Sequence, residues 1–320
     1  MRWLGVFALA LTLTACAQPP KVKDGSGLAA AIVVTTEPLA LNPDNAAETK
    51  LGNFAYAGGL VLTSKTTGRL HGLSDMRVLA DGRLISVSDD GDLFRARLVL
   101  DAKGALTGLK DSTIAPLTGP DGQALQGKQE SDAEGLAILA NGDRLVSLER
   151  HDRILRYPAK GGPAQPAPGP VGVIFPDNGG MEALSENPAA GPDAYIAGGE
   201  VSGQTWTCTL TKGCAAWRIL AKPGEYGLVA IAPLSKGRLA YVIRSWDFVQ
   251  GSRVSLIIDD AKGQEIDRLN LAKPLTVDNL ESVAAVPAKD GTIRFYLISD
   301  DNFSPTQRTI LLAFDWKPAP

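Results

Sequence analysis

The sequence predicts an all-β protein, a β-propeller built from four-stranded blades. Three observations predict it: an anchor that recurs along the chain, a tight Gly turn with a β-rich run after each anchor, and the lack of any long amphipathic helical pattern. The clear anchors start at Leu73, Glu134, Gly227 and Glu281, with a weaker copy at Met181. Their spacing, roughly 45 to 60 residues, is close to the period of one blade. A β-sandwich would show alternating strands without a recurring anchor.

Met1-Arg2 is followed by an apolar run, Trp3 to Thr14, too short to span a bilayer as a mature helix. It ends in Leu13-Thr14-Ala15-Cys16, small residues before a cysteine, as in a lipobox. Residues 1–15 therefore read as a lipoprotein signal peptide and Cys16 as the lipidation site, with an ordinary secretory signal as the alternative. Ala17, rather than Asp, follows the cysteine. The expected location is then the outer membrane, facing the periplasm, or else a secreted periplasmic form. Residues 16–30, with Pro19-Pro20 and Gly25-Ser26-Gly27, read as a tether, and 31–320 as one propeller domain.

Ile32 to Leu39 is β-prone and leaves room for a sixth blade beside five clear ones. Phe54 to Ser64 is β-rich without a turn-linked partner, and the last repeat shows only three strands. The N-terminal strand is expected to complete that repeat and close the ring, which removes exposed edges. Within the repeats, strand pairs flank Asp81-Gly82, Asn141-Gly142, Lys236-Gly237 and Asp290-Gly291. Gly161 to Pro170 is Pro/Gly-rich but falls inside one repeat, so it is a loop. Cys208 and Cys214 flank the Lys212-Gly213 turn, and an oxidising compartment suggests a disulfide between them.

Strand direction places the chemistry. The Gly turns lie on one face of the ring. The starts of the innermost strands and the ends of the second strands lie on the other. That second face collects Asp75, Glu134, Glu182 and Glu281 at the starts, and Asp89, Asp90, Glu149, Arg150, Glu200, Arg244, Asp300, Asp301 and Asn302 at the ends. Carboxylates from several blades around one channel mouth either hold a cation or raise one another's pKa. Glu134, Glu182 and Glu281 are the candidate catalytic carboxylates, with His151 as the candidate general base. Asp89, Asp90, Asp300 and Asp301 are the candidate metal ligands. Arg150, Arg244 and Arg308 would hold an anionic substrate. The competing reading is local: Asp-Asp and Asp-Asn pairs cap turns through their own backbone.

With 32 Lys and Arg against 35 Asp and Glu, the net charge is −3, which gives no attraction to nucleic acid. Two histidines rule out a three-histidine metal site. No Gly-x-Ser-x-Gly elbow and no Walker-A sequence occur.

Several stretches then occur in one order: Gly72-Leu73-Ser74-Asp75, Ser88-Asp89-Asp90-Gly91, Asp132-Ala133-Glu134-Gly135-Leu136, Asn178-Gly179-Gly180-Met181-Glu182, Asp278-Asn279-Leu280-Glu281 and Ser299-Asp300-Asp301-Asn302-Phe303-Ser304-Pro305-Thr306-Gln307-Arg308-Thr309. Over roughly residues 50 to 316 the chain resembles the bacterial "esterase-like activity of phytase" family. The resemblance implies an envelope-bound or secreted phytase-like propeller that hydrolyses ester bonds. The fourth anchor, Gly227-Leu228-Val229-Ala230, departs from the pattern in having no acid.

The expected function is hydrolysis of a small phosphate ester with Ca²⁺ at the carboxylate-lined mouth. Two alternatives stand beside it: a calcium-dependent lactonase or carboxylic-ester hydrolase, and a non-catalytic propeller that binds a partner or glycan. The chain is expected to be a monomer that meets the membrane only through its lipid anchor.

Overall fold

The computed structural model describes residues 29–318. Cys16, the signal peptide and most of the tether lie outside the described residues. The described chain is almost entirely β, with one four-residue helix, Lys128–Ser131, and a short 3-10 turn. Among the described residues no helix is long and apolar enough to cross a membrane.

The strands form five sheets. Four of them are each built from four consecutive antiparallel strands of one chain segment. Their innermost strands are Leu73–Val78, Ala133–Ile138, Ala183–Glu186 and Gly227–Pro233. The first sheet gains a further outer strand, Ala30–Ala31, paired with Leu106–Pro116. The fifth sheet is made from both ends of the chain. Asn279–Leu280 and Ala284–Pro287 pair with Ile293–Asp300, followed outward by Ile310–Trp316, then Phe54–Ser64, then Val34–Pro38. The expected closure by Phe54–Ser64 is therefore present. The expectation of five or six blades needs correcting: four segments form complete blades on their own, and the fifth sheet is assembled from both ends of the chain. Residues 34–38 found no sixth blade, because Val34–Pro38 is spent as the outer neighbour of Phe54–Ser64.

The innermost strands follow one another in a circle, each against the next, and Ala284–Pro287 returns to Leu73–Val78. Five apolar clusters fill the spaces between neighbouring sheets. This explains why strands such as Arg83–Ser88 and Ile293–Asp300 are buried almost throughout: both of their faces meet another sheet. The closing interface is the most aromatic. Phe54 stacks on Trp316 at 6.4 Å between ring centroids, with Phe295 tilted against both.

A buried ion pair joins the innermost strands. Asp75, fully buried, accepts hydrogen bonds from Arg77 Nη1 at 3.0 Å and from the Leu136 backbone N–H of the second sheet at 2.8 Å. Arg77 donates onward to the Leu184 carbonyl of the third sheet and the Val283 carbonyl of the fifth. Four sheets are thus tied at the axis. Asp75 belongs to this tie rather than to the mouth, because a register shift between Leu73 and Asp75 turns it inward. Below the tie a cavity of about 230 Å³ opens between Arg77, Ile138, Glu186 and Ala284.

Cys208 and Cys214 face each other across the hairpin of Gln204–Thr209 and Gly213–Ile219, joined by a disulfide with a Cα–Cα distance of 4.0 Å.

Candidate active site

The mouth is built by the rule that strand direction sets. Inner-strand starts deliver Glu134, Glu182 and Glu281; second-strand ends deliver Asp89, Glu149, Glu200, Arg244 and Asp300. Arg244 is the hub. Its Nη2 lies 2.8 Å from Glu281 Oε1, 3.8 Å from Glu200 Oε1 and 3.9 Å from Glu182 Oε1. One guanidinium therefore holds carboxylates from the third and fifth sheets, and its own Nε is buried without a hydrogen-bond partner. Burial works against its charge, yet the surrounding glutamates hold its pKa above the ordinary arginine value.

The fourth sheet contributes no acid at its inner-strand start, and packing explains why. A Cβ on Gly227 would overlap the Glu200 carboxylate, which lies over that position. Gly72 plays the same part for Asp89, with a left-handed φ of 60°.

On the opposite side Lys128 bridges two sheets. Its Nζ donates to Asp89 Oδ2 at 2.7 Å and lies 2.6 Å from Asp132 Oδ1. Asp132 Oδ2 accepts from Arg150 Nε at 3.0 Å. Glu149 Oε1 accepts the backbone N–H groups of Gly179 and Gly180 at 2.6 and 2.9 Å. Ligand oxygens of Asp132, Glu134 and Glu149 all lie within 4.8 Å of one another. Arg150 reaches this trio from a left-handed φ of 66°, which is uncommon for a residue other than glycine and marks a strained turn.

So many acids in one buried mouth cannot all be ionised. Burial, then Glu182 and Asp132, push the Glu134 carboxyl well above the usual range. Burial and Glu200 do the same for Glu182. Burial raises Glu281 to about 7 against the pull of Arg244. Asp300 is raised to about 9 by burial and by Glu281 and Asp89, and Asp89 to about 6 by burial, with Lys128 opposing.

Other expected site residues stand apart. Asp301 is saturated: its oxygens accept from the backbone N–H groups of Gly72 and Phe303, from Thr309 Oγ1, and bond His71 Nδ1 at 2.6 Å. Those bonds outweigh burial and lower its pKa, so Asp301 ties its loop to the chain entering the first sheet. Asp90 is half-buried in the turn after Asp89, and its charge helps raise Asp89. His151 is 59 % exposed and pairs with Glu130 at 2.8 Å, on the rim outside the cluster. Arg308 is half exposed and lies 3.6 Å from Asp278. Asp132 and Lys128 were not among the expected site residues, although Asp132 and Glu134 flank Ala133 at the strand entry.

The model of the phytase-like family, described as esterase-like activity of phytase, matches residues 68–303. The chain belongs to this family. The matched span of this phytase-like protein runs from just before Gly72 through Phe303 and so contains the whole carboxylate cluster. No curated protein matches the sequence. Among solved structures, a proposed gluconolactonase is similar at 12 % identity over 93 % of this chain and 95 % of that one, with a TM-score of 0.48. A streptogramin B lyase is similar at 12 % identity, 88 % and 98 % coverage and a TM-score of 0.44. Virginiamycin B lyase from Staphylococcus aureus follows at 10 % identity, 88 % and 99 % coverage and a TM-score of 0.42. These similarities bear on neither substrate nor metal.

Proposed function

We propose that the phytase-like mouth hydrolyses small phosphate esters with the help of Ca²⁺. The observation that supports this reading is the trio of Asp132, Glu134 and Glu149, whose oxygens lie within 4.8 Å of one another, with Arg150 beside it and Arg244 across the mouth. Hard oxygen donors suit Ca²⁺, and a cation there relieves the repulsion that, after burial, raises the Glu134 pKa. Asp132 would exchange part of its contact with Lys128 or Arg150 for the ion.

Bound calcium would supply Lewis acidity toward a phosphoryl oxygen and toward an attacking water. The chain's own groups do the rest. The guanidinium of Arg244, 24 % exposed, would donate to a phosphate oxygen, and Arg150 stands on the other side of the mouth. Asp300 is held protonated at neutral pH and is suited to give a proton to a leaving alkoxide. We place the protein at the cell envelope, attached through a lipid on Cys16.

The test is turnover of p-nitrophenyl phosphate and p-nitrophenyl acetate, each with added Ca²⁺ and with EGTA. Phosphate-ester turnover that needs Ca²⁺ supports the proposal. Turnover of the acetate alone replaces it with carboxylic-ester hydrolysis, and turnover of neither makes the mouth a binding site.

A further inference from the structure

We propose that the mouth face docks on a lipid surface, with the loops 168–178 and 247–250 entering the headgroup layer. The four most exposed large apolar side chains among the described residues are Val171 (93 %), Ile174 (97 %), Phe248 (91 %) and Val249 (90 %). All four stand on loops of the mouth face: one loop leads into the inner strand of the third sheet, the other joins Leu239–Asp247 to Gly251–Asp259 in the fourth. Trp246 and Val201, both exposed, continue the series along the same rim. The turns of the opposite face, such as Asp81-Gly82, Asn141-Gly142 and Lys289-Asp290-Gly291, carry no such side chains.

These tips are held, not loose. Asp247 Oδ1 accepts the backbone N–H groups of Val249 and Gln250 at 2.9 and 2.8 Å, and Asp247 is paired with Arg253. Phe175 sets its ring edge-on to Trp206 at 5.9 Å and fixes the other loop. Apolar side chains on rigid separate tips, with a tryptophan beside them, match the chemistry of the membrane interface, where aromatic rings sit at headgroup level and apolar tips lie below. The point at which the described chain enters agrees: Ala30 pairs with Ile114 near the mouth-side end of its strand. A lipid on Cys16 would thus draw this face toward the bilayer. The inference holds whether or not the mouth hydrolyses esters.

The test uses the mature chain from residue 17, which carries neither the apolar signal run nor the acyl anchor, and vesicles of phosphatidylethanolamine and phosphatidylglycerol. Co-sedimentation should show binding that weakens roughly tenfold or more with Phe248→Ser plus Val249→Ser, and again with Val171→Ser plus Ile174→Ser. Added salt should change it little, because apolar burial drives it. Unchanged melting temperatures would show that the fold persists. Absence of vesicle binding by the anchor-free chain, or binding indifferent to both pairs, overturns the inference. So does self-association without vesicles that the same substitutions abolish, which would make the face a contact with a second copy.

Discussion

Arg244 of the fourth sheet and Glu281 of the fifth meet at 2.8 Å in the channel mouth, and the same guanidinium lies within 4 Å of Glu182 and Glu200. Removing one partner of a buried ionic cluster leaves the others uncompensated. Arg244→Leu should therefore cost about 3 to 5 kcal/mol in urea unfolding, and Glu281→Gln clearly less. Equal losses for the two variants would show that Arg244 does not act as the shared counter-ion.

The tie at the axis makes a similar demand. Arg77→Met leaves Asp75 buried without its cation, and removes donors to the Leu184 and Val283 carbonyls. A loss of about 3 kcal/mol or more is expected by denaturant melts. Asp75→Asn in the same background should recover part of it, because the stranded charge is gone; a double variant no better than the single one contradicts the pairing.

Stability should fall as pH rises. Asp300 and Glu281 have folded pKa values near 9 and 7, raised from ordinary carboxylate values of 3.8 and 4.5. Between the unfolded and folded values the folded state holds more protons, so each step up in pH favours unfolding. Thermal melts in EGTA should show a midpoint that declines from about pH 5 to about pH 9. Added Ca²⁺ should reverse the decline most at the upper end. A midpoint that rises through this window would mean the mouth carboxylates are not buried together.

Glu134→Gln combined with Glu281→Gln should lower calcium affinity by calorimetry and phosphate-ester turnover together, while circular dichroism stays unchanged. Loss of turnover at full calcium affinity would separate the ion from the reaction.

The disulfide gives a direct check. Alkylation of the native protein followed by intact mass should leave Cys208 and Cys214 unlabelled until reduction, and two labels before reduction would show the thiols free.

Much of the ring was legible because its signal is local. The Gly turns and the apolar runs after Leu73, Glu134, Gly227 and Glu281 state strand, turn and strand directly, and strand direction then assigns Glu134, Glu182 and Glu281 to one end. What was not legible depends on contacts between sheets. Asp75 looks like another mouth acid until a register shift turns it toward Arg77. Asp301 looks like a ligand beside Asp300, but four hydrogen bonds consume it, two of them from His71 and Gly72 at the entry to the first sheet. Gly227 looks like a missing ligand, whereas Glu200 of the preceding sheet fills its place. Lys128 reveals itself only through the one helical turn that sets it four residues from Asp132.

Pairing Phe54–Ser64 with Ile310–Trp316 has a consequence for synthesis. The strand made early can find its neighbour only after nearly the whole polypeptide has emerged, so the last sheet cannot form during translation. Contacts this distant in sequence form slowly and leave an open circle of exposed edges meanwhile. For the same reason, deleting Ile310–Trp316 should not trim the protein but leave it without a native state.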